Sequence, residues 1–137
     1  MKILVIDAQG GGIGKQLVTA IKREIPDAHV TAVGTNTAAT TAMMKAGADE
    51  AATGENPVIV GCRRADVIVG PVDIVIADSL FGEVTPEMAL AVARSNARRI
   101  LIPFNQCDNI IAGVSDLGTG ELIRSTISEI KKYAGTD

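Results

Sequence analysis

The chain has 137 residues, a net charge of −3 at neutral pH, and only two Phe, one Tyr and no Trp. This length predicts a single domain over residues 1–137. The acidic balance and the scarcity of aromatic residues argue against a nucleic acid as partner, because nucleic acids attract basic surfaces and stack on aromatic rings.

The chain carries no apolar run that approaches the roughly 20 residues of a membrane span. Because a short apolar strand pattern follows Met1 and Lys2 at once, we expect no signal peptide. The two cysteines, Cys62 and Cys107, lie far apart, which is usual for proteins of a reducing compartment. We therefore expect a cytoplasmic protein without a membrane partner.

Predicted strands and helices alternate along the whole chain. The strands are predicted at 2–7, 29–33, 66–69, 73–77, 99–103 and 109–114. The helices are predicted at 12–24, from the capping segment 35–37 to Gly47, from Asn56 as N-cap to Arg64, from Thr85 to Asn96, and from Thr119 to Lys132. This order predicts the α/β class, as a single-domain Rossmann-like, doubly wound, mostly parallel sheet of about six strands.

The link between the third and fourth predicted strands is unusually short. Only about three residues join 66–69 to 73–77, which is too few for a parallel crossover. One of these two segments is therefore expected to pair antiparallel or to continue its neighbour through a bend.

A glycine-rich loop follows the first predicted strand and leads into the first predicted helix. A strand that turns through glycines into a helix gathers bare N–H groups at the positive end of the helix dipole, which suits a phosphate. We therefore predict that the loop binds a nucleotide or another phosphate-bearing molecule. The residues assigned to this site are Asp7, Gln9, Gly10, Gly11, Gly12, Ile13, Gly14 and Lys15.

Three interpretations of this loop compete. It resembles the dinucleotide fingerprint Thr-Gly-x-x-x-Gly-Ile-Gly of short-chain dehydrogenases, with Asp7 and Ala8 in place of the first two residues. A P-loop is less favoured, because Gln9 replaces its first Gly and Gln16 replaces the hydroxyl that binds Mg²⁺. In the third interpretation, the glycines only allow close packing of the helix on the sheet.

Other candidate residues lie at the carboxyl ends of later strands, where α/β sheets bind their ligands. Thr35 and Asn36 stand where NAD-binding domains usually place an acid, and would contact a ribose or simply cap a helix. Gly70 would flank the ligand or form a turn. The expected cofactor is NAD(P) or another nucleotide, and no metal site is predicted. Cys107 is interpreted as passive, and the dehydrogenase pair Tyr-x-x-x-Lys is absent, so catalytic residues stay unknown.

Five short segments carry a family resemblance: IDAQGGGIGK (6–15), GTNT (34–37), ATGEN (52–56), VGP (69–71) and ILIP (100–103). Together they resemble a small family of uncharacterised bacterial proteins, known only as a domain of unknown function. The resemblance spans residues 1–114, and Ala8 departs from it where Gly is expected. It implies a short Rossmann-like protein of anaerobic-type bacteria. It indicates neither a substrate nor catalytic residues.

Three functions remain open, and the first two belong to different classes. The leading hypothesis is nucleotide or dinucleotide binding at the glycine loop, with catalysis dependent on a partner or on a second copy in a homodimer. The alternative is a non-enzymatic interaction or regulatory subunit whose Rossmann scaffold has no ligand. A divergent P-loop-like ATPase is the third and least favoured.

Overall fold

Five strands and five helices alternate in the computed structural model, which describes residues 1–103, 109–114 and 116–135. The strands are β1 (Lys2–Asp7), β2 (His29–Gly34), β3 (Glu50–Thr53), β4 (Val67–Pro71) and β5 (Arg98–Ile102). The helices are α1 (Gly12–Glu24), α2 (Thr37–Lys45), α3 (Glu55–Arg64), α4 (Pro86–Arg94) and α5 (Thr119–Ala134).

The sheet has the strand order β3-β2-β1-β4-β5, and every neighbouring pair is parallel. β1 is central, with Val5 aligned to Ala32 on one side and to Val69 on the other. The order reverses between β1 and β4, which is the topological switch point where Rossmann sheets open a crevice at their carboxyl edge. The predicted fold class is therefore confirmed.

Helices cover both faces of the sheet. The side chains of β1 alternate between two apolar clusters: Ile3 and Val5 pack with α1, α2 and α5, whereas Leu4 and Ile6 pack with α3 and α4. Because both faces of the central strands are buried, these strands consist of continuous apolar runs, as parallel sheets require. The doubly wound arrangement fixes the carboxyl end of β1 beside the amino end of α1.

The prediction of six strands is wrong, because the sheet has five. The segment 73–77 is not a strand: a 3₁₀ helix, Val72–Val75, follows β4 directly. Three residues cannot carry the chain back to the start of a parallel strand, so apolar Ile74 is buried from a helical turn instead. The segment 109–114 is also not a strand, since it turns at Gly113 (φ +82°) and leaves Ile110 86% exposed.

Two further boundaries differ from the sequence-based expectation. β3 was not predicted, because Glu50–Thr53 is an edge strand of four residues with little β-branched character. α3 begins at Glu55 with Gly54 (φ +107°) as its N-cap, rather than after Asn56. Pro57 consequently lies in the first turn of α3, where its missing N–H costs nothing.

Length and apolar character decide whether helices can cross a bilayer. None of those within the described ranges has both the length and the apolar character that crossing a membrane requires.

Candidate functional site

The loop between β1 and α1 is a tight turn built from its own backbone. The amide of Gly11 donates to the carbonyl of Ala8 at 3.1 Å, and the amide of Lys15 donates to the carbonyl of Gly11 at 2.8 Å. Gln9 (φ +53°) and Gly11 (φ +75°) adopt the left-handed conformation that reverses the chain direction. The first residues of α1 are thereby placed over the carboxyl end of β1.

Asp7, the last residue of β1, fixes this loop through its side chain. Its side chain is buried, and its Oδ2 accepts a hydrogen bond from the amide of Gly14 at 2.6 Å. Burial raises the pKa of Asp7 most strongly, the amides of Gly14 and Ala8 oppose this shift, and the charge of Glu83 adds to it. Asp7 therefore caps α1 from the preceding strand, and its carboxylate already has donors.

The four glycines of the loop fall into two pairs. A Cβ on Gly11 would lie 2.8 Å from the Cα of Ala39, and a Cβ on Gly14 would lie 2.8 Å from the Cβ of Asp7, so packing explains both. Among the described residues, apart from chain neighbours and the backbone of α1, none has an atom within 4 Å of a Cβ placed on Gly10 or Gly12, and neither glycine has a left-handed φ. Neither close packing nor backbone conformation explains this second pair.

The same open side of the loop carries amides without partners. Within the described ranges, the N–H groups of Gly10, Gly12 and Ile13 have no hydrogen-bond acceptor. They border a depression of about 240 Å³, to which Pro71, Asp73 and Leu80 also contribute. No Lys, Arg or His is among the described residues that line it; Lys15 is exposed outside it. Any anion here is bound by amides and the helix dipole.

Asp73 is an unsatisfied acid at the border of this depression. Its side chain is 2% exposed, and its Oδ1 has no hydrogen-bond partner among the described residues. The carbonyl of Asp73 accepts from the hydroxyl of Ser79 at 2.8 Å, which fixes the corner after the 3₁₀ helix. A buried carboxyl oxygen without a donor is costly, so Asp73 is a polar group whose hydrogen-bonding need the described residues do not meet.

Glu83, like Asp73, is a residue of the site that the sequence analysis missed. Its Oε1 accepts hydrogen bonds from the amide of Gln9 at 2.9 Å, the hydroxyl of Thr35 at 2.8 Å and the side-chain amide of Asn36 at 2.8 Å. Burial raises the pKa of Glu83, but these three hydrogen bonds together outweigh burial and hold the pKa below its ordinary value. The one signal in the sequence was the absence of an acid after β2.

The side chains of Thr35 and Asn36 already form hydrogen bonds within the protein. Asn36 caps α2, since its Oδ1 accepts from the amide of Ala39 at 2.9 Å, while its Nδ2 also donates to the carbonyl of Gln9 at 2.9 Å. The capping alternative for Asn36 is thus confirmed. Thr35 donates its hydroxyl to Glu83. Their predicted contact with a ribose stays a prediction.

Gly70 lies within β4 and is buried rather than facing the depression. A Cβ at this position would lie 2.5 Å from the carbonyl oxygen of Ile6, so the approach of β1 to β4 explains the glycine. The residues that reach the depression from this side are Pro71 and Asp73. Cys107, which was considered as a nucleophile, lies outside the described residues.

Larger hollows exist elsewhere on the described surface. One of about 440 Å³ lies over β2 and β3 beside α3, and one of about 600 Å³ lies between the ends of α3 and α4. The loop amides and Asp73 are absent from both linings. Chemistry rather than volume therefore selects the glycine-loop depression as the candidate site.

Two solved structures share features of the chain's architecture. One is described as the crystal structure of AibC, with 23% identity and a TM-score of 0.49, and the match covers 92% of this chain and 34% of that one. The other is a dodecameric FMN-dependent UbiX-like decarboxylase from Escherichia coli O157:H7, with 18% identity, a TM-score of 0.48, and coverage of 96% and 76%. Neither likeness carries a ligand or an activity over to this chain.

The sequence comparisons assign a family. No functionally curated protein matches the chain. One family model matches residues 2–135, nearly the whole chain, which extends the resemblance predicted for residues 1–114. The chain belongs to the family described as Domain of unknown function (DUF3842).

Proposed function

We propose that the protein binds a nucleotide or dinucleotide of the NAD(P) type, with a phosphate group on the amides of Gly10, Gly12 and Ile13. The observation that carries this proposal is the pair Gly10 and Gly12, for which neither backbone conformation nor packing against the described residues requires a glycine. A side chain at either position would cover the free amides. Glycine leaves them open to a ligand that approaches the backbone closely.

The charges of the site indicate what else the ligand carries. The loop amides and the helix dipole attract an anion, whereas Asp73 contributes an acid to the border of the depression, where a hydroxyl group is favoured over a second anion. A nucleotide offers phosphate oxygens and sugar hydroxyls within a few ångströms of each other. A phosphate ester with hydroxyl groups therefore suits the depression better than inorganic phosphate alone.

Glu83 supplies an acid where dinucleotide-binding domains place one. In such domains, a carboxylate at the end of the second strand binds the ribose hydroxyls. Here Glu83 reaches that position from the segment before α4, and Thr35 and Asn36 hold it there. We assign ribose recognition to Glu83, with Thr35 and Asn36 as residues that position it.

Assembly and location are separate parts of the proposal. We infer that the protein is a homodimer, because the short edge strand β3 offers a surface on which a second copy could pair. We infer separately that it is cytoplasmic. Light scattering after size exclusion tests the homodimer: a mass of one chain at micromolar concentration would overturn it.

A thermal-shift panel tests nucleotide binding. The probes are NAD⁺, NADH, NADP⁺, FAD, FMN, ATP, GTP and AMP, each with Mg²⁺ and with EDTA. We expect a rise in Tm with at least one probe, and loss of this rise in Gly12→Asp. An Asp in the first turn of a helix favours folding, so this variant removes the binding site by charge and bulk rather than by unfolding.

Gly120→Asp is the matched control, because it places the same residue in the first turn of α5, far along the chain from the glycine loop. It should keep the full ligand-induced shift. A wild-type protein that no probe stabilises would overturn the proposal, as would equal shifts in the wild type and Gly12→Asp. Comparison of Mg²⁺ with EDTA shows whether binding of the probe requires a divalent cation.

A ligand-free interaction module is the second candidate, and one observation favours it. Glu83 already occupies the amide of Gln9 and the side chains of Thr35 and Asn36, as an internal substitute for a ligand would. This candidate predicts no thermal shift with any probe. A P-loop-like ATPase has less support, because Gln16 donates to the carbonyl of Gly12 at 3.3 Å and offers no hydroxyl for Mg²⁺.

A further inference from the structure

Phe81 is an aromatic residue that folding does not explain. Its side chain is completely exposed, in a chain with two Phe, one Tyr and no Trp. Its backbone has a φ of +56°, a left-handed conformation that is rare for bulky residues and that glycine or asparagine adopts at lower cost. Neither hydrophobic burial nor backbone preference therefore places a Phe here.

The position of Phe81 is fixed by residues on both sides. Leu80 lines the glycine-loop depression, and Glu83 is hydrogen-bonded to Gln9, which lines it as well. Consecutive Cα atoms lie about 3.8 Å apart, so the backbone of Phe81 lies next to Leu80, at the rim of the depression. Asp78, Leu80 and Gly82 also have positive φ values, so the chain turns sharply on both sides of Phe81.

The size of the depression indicates that a nucleotide would extend past its rim. Its volume of about 240 Å³ is below the roughly 300–1,000 Å³ of pockets that enclose a whole ligand. A phosphate and part of a sugar can lie inside, whereas an attached ring system must lie outside. Leu80 and Phe81 form the apolar surface that such a ring would meet first.

We propose that Phe81 is a stacking platform for the planar heteroaromatic ring of the ligand whose phosphate lies on the glycine loop. This inference rests on the proposed function and adds a specificity to it: aromatic nucleotides are selected over phosphorylated sugars. An exposed aromatic face gains affinity from such a ring without regard to its hydrogen-bonding pattern.

The test compares mononucleotides with the same sugar phosphate without its heteroaromatic base. The probes are AMP and nicotinamide mononucleotide, with ribose 5-phosphate as the reference that lacks the base. In the wild type, at least one mononucleotide should bind more tightly than ribose 5-phosphate. Phe81→Ala should weaken that mononucleotide by about 5- to 150-fold and leave ribose 5-phosphate unchanged, and Phe81→Trp should retain the binding.

Two controls complete the experiment. Leu90→Ala removes an exposed apolar side chain of α4 and should change neither affinity. Phe81→Trp introduces the single Trp of the chain, so its fluorescence should be quenched by the mononucleotide and not by ribose 5-phosphate.

Each outcome decides between the two proposals. If Phe81→Ala weakens mononucleotides and ribose 5-phosphate equally, or weakens neither, the stacking inference is overturned while nucleotide binding stands. The stacking inference is equally overturned if ribose 5-phosphate binds the wild type as tightly as every mononucleotide. If the wild type binds none of these probes, the stacking inference is overturned, whereas the thermal-shift panel decides separately whether the glycine loop binds a nucleotide.

Discussion

Glu83 and Gln9 are joined by a hydrogen bond of 2.9 Å, from the amide of Gln9 to the Oε1 of Glu83, across 74 positions of the chain. The same oxygen accepts from Thr35 and Asn36. One carboxylate therefore ties together the loop after β1, the loop after β2 and the segment before α4. These three pieces form the carboxyl edge at which an α/β sheet binds its ligand.

The first prediction concerns the stability that this carboxylate contributes. Glu83→Ala removes the acceptor of three hydrogen bonds, and solvent replaces part of the loss because the side chain is half-buried. We expect the free energy of unfolding to fall by about 1–2 kcal/mol, measured by urea denaturation. Glu87→Ala, which removes an exposed carboxylate four residues away in α4, should change it by less than about 0.5 kcal/mol. Equal effects of the two variants would show that the three hydrogen bonds to Glu83 do not stabilise the fold.

The second prediction concerns pH. Because the pKa of Glu83 is lower in the folded chain than its ordinary value of 4.5, Glu83 stabilises the fold fully above pH 4.5. This contribution is lost as the pH falls through the lowered pKa. The difference in unfolding free energy between the wild type and Glu83→Gln should therefore be largest near pH 7 and shrink below pH 4.5. A difference that stays constant from pH 7 to pH 3.5 would show that folding does not lower the pKa of Glu83.

Local signals in the sequence were sufficient for the scaffold of the site. The bounds of α1 follow from the glycines before it and the apolar residues at every fourth position, and the cap of α2 follows from Asn36. These features depend on neighbours within a few residues. The sheet order places the glycine loop at the switch point once the alternation of strands and helices is known.

The acids of the site could not be predicted in the same way. Glu83 meets Thr35 only because the sheet brings the ends of β1 and β2 together under the segment before α4. Asp73 was assigned to a strand, since Ile74 and its neighbours are β-branched; the 3₁₀ helix became visible only in three dimensions. β3 was missed because its pairing with β2, rather than its propensity, makes it a strand.

The third prediction separates packing from ligand contact at Gly70. Gly70→Ala places a Cβ 2.5 Å from the carbonyl oxygen of Ile6, within two paired strands that cannot easily move apart. We expect a loss of about 1–3 kcal/mol in unfolding free energy without any ligand present. Gly120→Ala in α5 should instead stabilise by about 0.4–1 kcal/mol. A Gly70→Ala protein as stable as the wild type would show that packing does not require this glycine, and would favour a contact with the ligand instead.

The fourth prediction concerns the buried thiol of α3. Cys62 is 5% exposed, and burial raises its pKa to about 11. Only on the order of one thiolate in a thousand is then present at pH 8. In a Cys107→Ser background, the native protein should react with iodoacetamide at pH 8 at least 100-fold more slowly than the urea-unfolded protein. Similar rates in the two states would show that Cys62 is accessible and that α3 opens readily.

The fifth prediction returns to Phe81 and to the cost of its conformation. A left-handed backbone destabilises a residue with a side chain by roughly 1–2 kcal/mol. A glycine removes this strain but lowers the free energy of unfolding by about 0.4–1 kcal/mol, because it makes the unfolded chain more flexible. Phe81→Gly should therefore raise the free energy of unfolding by about 0.5–1 kcal/mol in urea denaturation. Phe81→Ala, which keeps the strain and removes only an exposed ring, should leave it nearly unchanged.

Comparison of these two variants separates the backbone of Phe81 from its side chain. If both destabilise the protein, the ring supports the fold and the residue needs no ligand to explain it. If only Phe81→Gly stabilises, the chain holds an aromatic residue in a strained position against its own stability. Strain of this kind is found where a function requires a particular side chain at a particular place, and the rim of the glycine-loop depression is such a place.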